Sequence, residues 1–111
     1  MAGGTVADTI ERARAYADAG ADMIFPEGLT TKEEIVEVCA AVDTKIHYNR
    51  TGVSPMLTLD ELNELGIAMV SLATGALRSS ARAMWDFMHD FKDRDVAAQK
   101  EFLAGVADHP V

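Results

Sequence analysis

The chain has 111 residues, 49% hydrophobic and 25% charged, which is one small domain's worth of sequence, with apolar material enough for a core and too much for a disordered chain. The 18 acidic against 10 basic side chains leave a net charge of −8, a balance that argues against nucleic acid as a partner because the phosphate backbone carries the same sign. A single cysteine, Cys39, excludes an internal disulfide framework and a multi-cysteine metal site, and no apolar run reaches the roughly 18 residues of a membrane span.

The first predicted element is a helix. Thr5 can cap it, Asp8 completes a capping box three residues on, Val6, Ile10, Ala13 and Ala17 recur at helical spacing, and Gly20 supplies the stop. Asp22–Glu27 is a short apolar run between glycines and predicts a buried strand. Thr31 and Glu34 open a second helix with Ile35, Val38, Cys39 and Val42 inward, and Lys45–Asn49 predicts a second strand. After a loop with Gly52 and Pro55, Thr58 and Glu61 form a third capping box. Leu59, Leu62 and Leu65 are expected inward, Gly66 ends that helix, and Ile67–Leu72 predicts a third buried strand. Leu77, Ala81, Met84, Trp85, Met88 and Phe91 form one stripe of a long helix, read as core or a subunit interface. Asp93–Asp95 should break it before a last helix from about Val96 to Val106.

The order αβαβαβαα implies right-handed crossovers and a parallel sheet. Buried parallel strands need cover on both faces and neighbours on both edges, and three strands are few. The expected fold is therefore α/β: parallel βα units of a larger sheet or barrel, a single partial domain over 1–111 that completes itself with a partner or further copies. Met1–Gly4 lacks the basic stretch and apolar core of a secretory signal, so a cytoplasmic location is expected. The acidic bias and scarce lysine would suit a high-salt cytoplasm as well as an ordinary acidic protein.

Ligands of parallel α/β folds meet the carboxyl ends of the strands. The first strand ends in Pro26-Glu27, the second in Asn49-Arg50-Thr51, and the third runs into Ala73-Thr74-Gly75 with Arg78 just beyond. Arg50 and Arg78 could bind carboxylate or phosphate through paired donors, Asn49 and Thr51 add neutral hydrogen bonds, and Glu27 could orient a substrate hydroxyl or act as a base. These residue types point to an anionic, oxygen-rich small molecule. Each also has a plainer reading: Glu27 as a solvated loop acid, Asn49 and Thr51 as turn residues, the arginines as surface charges. His47, mid-strand, reads as packed and Cys39 as core. His89 and His109 have no companions at metal-ligand spacing. No phosphate loop, GxSxG elbow or GxGxxG occurs.

The runs Glu11–Tyr16, Ala19–Glu27, Ser54–Leu62, Leu65–Ala68 and Gly75–Arg78, together with Asn49, resemble the isocitrate lyase and phosphoenolpyruvate mutase superfamily, on its 2-methylisocitrate lyase branch. The similarity covers roughly residues 5–92; Ala19–Glu27 is its most specific part. It implies the C-terminal three strands of a TIM-type (β/α)8 barrel, a last helix exchanged between subunits, and magnesium-dependent cleavage next to a carboxylate-stabilised enolate. It also implies that Glu27, Asn49, Thr51 and Arg78 hold substrate, with Arg50 in the same strand-end segment. By the same resemblance the magnesium ligands, the catalytic cysteine loop and a further arginine lie on preceding strands. Cys39, on a helix, does not match that cysteine, and the segment Arg50–Pro55 is shorter than the family's and lacks its acid.

The resulting expectation is the C-terminal part of a magnesium-dependent carbon–carbon lyase, inactive alone, acting on a small anionic carboxylate within a homo-oligomer. Oxaloacetate, dimethylmalate or phosphonate chemistry within the same superfamily remains open, as does a non-enzymatic module that oligomerises through its sheet edges and the Trp85 stripe.

Overall fold

The structure, a computed structural model, describes residues 4–107; His109 lies outside them. The chain divides into two compact units, one running to Ala73 and one from Thr74.

The first unit contains α1 (Val6–Asp18), β1 (Met23–Ile24), α2 (Lys32–Ala41), β2 (Lys45–Arg50), α3 (Leu59–Glu64) and β3 (Ile67–Leu72). All three helices start as their sequences dictate. Thr5, Thr31 and Thr58 each accept from the backbone N–H three residues on, and Asp8, Glu34 and Glu61 each accept from the cap backbone, so two otherwise unpaired donors are satisfied at every start. Helix α1 ends in a Schellman turn: the Gly20 N–H donates to Ala17 O at 2.9 Å and Ala21 N–H to Tyr16 O at 3.0 Å, with Gly20 at φ +95, a conformation that suits glycine. The Arg14 side chain donates to Ala41 O at 2.9 Å and so ties α1 to the end of α2.

The strands form one parallel sheet in the order β1-β2-β3. Sequential order, with the crossover helices on one face, is how a barrel wall is built. On the helix-covered face Ala13, Ile24, Val38, Val42 and Ile46 form one core cluster, and Ile35, Tyr48, Leu57 and Leu62 form a second. Alternation sends the other residues to the opposite face: Met23, Phe25 and Met69 there are 36%, 45% and 47% exposed. Helices α1–α3 thus cover one face of a sheet type that is ordinarily covered on both.

Three expectations need correction. The first strand is two residues long rather than six: among the described residues β1 pairs with β2 alone, and Pro26 has no N–H to extend a ladder. Strand β3 is not buried throughout, because Ala68, Met69 and Leu72 are exposed. Leu59 is also exposed, at 63%, since α3 is short and its inward position is taken by Leu62.

The second unit is a helical hairpin, α4 (Gly75–Arg94) and α5 (Val96–Val106). Asp95, at φ +50, breaks the chain between them. Phe87 packs on Phe91 and Phe102, Ala98 is buried, and Arg94 clamps Asp90 and Glu101 across the turn. Leu77, Met84, Trp85 and Met88 are 59–68% exposed, so the hairpin by itself does not bury the stripe. Trp85 stacks on His89, with ring centroids 4.3 Å apart.

Candidate functional site

A cavity of about 220 Å³ lies where the loops leave the carboxyl ends of β1 and β2, the end of a parallel sheet at which ligands bind. Glu27, Asn49 and Thr51 all line it, with Pro26, Val53 and Ser54 among their neighbours. Three of the five residues read from the sequence are therefore brought together. Glu27 is exposed, on the turn after β1.

The loop after β2 is fixed by its own side chains. Ser54 Oγ donates to Asn49 O at 2.9 Å and accepts from Thr51 N–H at 3.0 Å. Thr51 Oγ1 in turn accepts from the N–H groups of Val53 and Ser54, both at 3.1 Å. The Thr51 hydroxyl thus closes a turn as well as lining the cavity. Tyr48, buried on the helix face, donates its hydroxyl to Pro55 O.

Arg50 is not among the cavity-lining residues. Two positions beyond Tyr48 and one beyond Asn49, it points to the Tyr48 side, where its guanidinium donates to Leu57 O at 2.6 Å. Its work there is to hold the segment leading into α3. Arg78 is exposed in the first turn of α4, in the second unit, with its N–H donating to Thr74 O at 2.8 Å.

Two residues are added by the structure. Ser71 stands opposite Asn49 in the β2–β3 register and donates to Asn49 Oδ1 at 2.7 Å. His47 Nε2 lies 2.8 Å from the same Ser71 Oγ, and its ring packs against Phe25 with centroids 4.6 Å apart. The β2–β3 register that sets Ser71 opposite Asn49 is not written in either strand alone, so the sequence gives Ser71 no signal and His47 only that of a packed residue. Cys39 is half-buried and burial pushes its thiol pKa up, the opposite of an activated nucleophile. Among the described residues no group of three or more His, Cys, Asp or Glu could hold a metal ion. These residues do not make a magnesium site.

A family profile described as phosphoenolpyruvate phosphomutase matches residues 1–92. The chain belongs to that family. Members similar to it include 2-methylisocitrate lyase of Aeropyrum pernix, 34% identical over 96 residues, covering 85% of this chain and 30% of that protein. The Escherichia coli 2-methylisocitrate lyase is 41% identical over 76 residues, covering 67% of this chain and 26% of the enzyme. Among solved structures of the phosphoenolpyruvate mutase/isocitrate lyase superfamily, 2,3-dimethylmalate lyase superposes with a TM-score of 0.72 at 30% identity, over 80% of this chain and 32% of that one. Oxaloacetate acetylhydrolase, solved with its product oxalate, gives 0.71 at 26% identity, over 79% and 32%. This family member therefore spans about a third or less of the curated relatives it matches, and its parallel βα units correspond to part of their TIM-type barrels.

Proposed function

We propose that the chain contributes part of the substrate pocket of a carbon–carbon lyase of the 2-methylisocitrate or isocitrate lyase type, and that it is inactive alone. The observation carrying this reading is that Glu27, Asn49 and Thr51 line one cavity at the carboxyl ends of β1 and β2 in a chain 34% and 41% identical to two 2-methylisocitrate lyases. Glu27 would fix a substrate hydroxyl or carboxylate, and the Asn49–Thr51 segment would hold a carboxylate, with Thr51 also closing the turn after β2; Arg78, by the family resemblance, would bind carboxylate through paired donors. Arg50 would act by shaping the segment, through Leu57. Magnesium, in this reading, would be held by other strands of the family barrel and not by these residues. A single partial domain, a homo-oligomer and a cytoplasmic setting belong to the same proposal.

A second reading keeps the superfamily and changes the substrate to oxaloacetate or a dimethylmalate. It is favoured by the likeness to solved enzymes with those names. The test has two arms. The purified chain, given 2-methylisocitrate, isocitrate or oxaloacetate with magnesium, should release no pyruvate, glyoxylate or oxalate; clear metal-dependent release refutes its inactivity. Succinate or oxalate titrated into the labelled chain should shift the signals of Glu27, Asn49 and Thr51. Shifts confined to other residues would refute the pocket.

A further inference from the structure

We infer that His47 and Ser71 are positioning residues that fix which end of the Asn49 amide faces the cavity. The inference rests on the reading of Asn49 as a carboxylate-holding residue and adds how its polarity is set.

The three side chains share one sheet face. His47 and Asn49 are two positions apart on β2, and Ser71 stands directly across from Asn49 on β3. Ser71 Oγ is 2.8 Å from His47 Nε2 and 2.7 Å from Asn49 Oδ1, and all three side chains are half-buried. A serine hydroxyl carries one proton and an amide oxygen carries none. The proton between Ser71 and Asn49 is therefore the serine's, and the proton between His47 and Ser71 must be the imidazole's. His47 is accordingly held with Nε2 protonated, its ring seated against Phe25.

The sheet order then decides what the cavity meets. Strand β3 lies on one side of β2 and β1 on the other. Ser71 draws Oδ1 to the β3 side, which leaves the two N–H donors of Asn49 on the β1 side, where Glu27 also lines the cavity. The reversed relay, with Ser71 donating to a bare Nε2 and accepting from the Asn49 amide, would present a carbonyl oxygen there and turn carboxylates away. Two side chains outside the cavity lining thus select for an acceptor-bearing anion.

The test uses the 15N-labelled chain, with oxalate as the probe. Above the titration range of histidine, wild type should show a slowly exchanging His47 Nε2 proton. Ser71→Ala should abolish it, change the Asn49 side-chain amide signals, and weaken oxalate binding about tenfold, the worth of one charge-assisted hydrogen bond. Ser71→Thr, which keeps a hydroxyl, and His47→Gln, which keeps a donor, should restore wild-type affinity to within about threefold. A His47 ring protonated at Nδ1 alone, or an Asn49 amide that does not respond to Ser71→Ala, overturns the relay; both are read without oxalate. Wild-type chain that shows the relay but binds no oxalate supports the positioning and overturns the pocket reading instead.

Discussion

Lys32 of α2 and Glu61 of α3 meet at 2.8 Å, and the same glutamate accepts the Thr58 N–H at 2.9 Å. One carboxylate thus serves as a bridge between two helices and as the reciprocal half of a cap. The Lys32 ammonium first, and then the Thr58 N–H, hold its carboxyl down from the usual 4.5 to about 2. Asp8 and Glu34 are lowered too, each first by a cap-region N–H, from Thr5 and Thr30 respectively. A folded-state pKa below the unfolded one contributes stability that is fully present above the unfolded value and is lost as pH falls through the folded one. For Glu61 that window runs from about 4.5 to about 2. Acid titration followed by far-UV circular dichroism should show Glu61→Gln with a shallower acid limb than wild type. Added salt should narrow the difference, since the pair is exposed.

The caps themselves can be weighed. Thr31→Ala removes the oxygen that accepts Glu34 N–H at 3.2 Å at the start of the helix carrying buried Ile35 and Val38. A loss of about 1 kcal/mol is expected, read as a lower urea midpoint at unchanged slope. A midpoint equal to wild type would show that α2 is held by packing alone.

Leu62 is 1% exposed and is the only buried residue of α3. Leu62→Ala should cost about 2–5 kcal/mol, a large part of what so small a unit has in total. The expected result is loss of a cooperative urea transition, while Leu59→Ala, at an exposed position of the same helix, leaves the transition in place.

The starts of α1, α2 and α3, the stop at Gly20, the extents of β3 and α5, and that of β2 to within one residue were legible in the sequence, because caps, glycine stops and apolar periods act within a few residues. Glu27, Asn49 and Thr51 were legible as a group because strand ends are where parallel folds bind ligands. What was not legible depends on pairing or on neighbours. Ser71 acquires its role from a register that joins it to Asn49, and Arg50 is engaged by Leu57 O, a partner seven positions on, rather than lining the cavity. The length of β1 and the exposure of Met69 and Trp85 reflect what packs around them, which local pattern does not encode.

Asn49→Asp offers a sharp contrast with Asn49→Ala. The aspartate would still accept from Ser71 through one oxygen, as Asn49 Oδ1 does, but would turn a charged acceptor toward the ligand. Calorimetric titration with oxalate should show Asn49→Asp binding at least about tenfold more weakly than Asn49→Ala, since like charges at a few ångströms repel strongly in a partly dry site. Equal affinities would mean that position 49 does not face the anion.

Thr74, at φ +54, is a β-branched residue in the left-handed region and makes no side-chain cap bond to α4. That conformation costs about 1–2 kcal/mol without glycine, against which glycine loses up to about 1 kcal/mol in chain entropy. Thr74→Gly should therefore raise the thermal midpoint slightly. A lower midpoint would assign the threonine a contact that offsets its strain.

The reciprocal threonine–acid pairs also bear on the order of events along the growing polypeptide. Thr5 with Asp8, Thr31 with Glu34, and Thr58 with Glu61 are each separated by three positions, so each of these helix beginnings can be defined as soon as its own few residues are made. Parallel ladders join distant stretches, as Asn49 and Ser71 show across 22 positions, and must await closure of the intervening loop. The wall that carries the cavity is thus assembled last, from pieces whose ends were settled early.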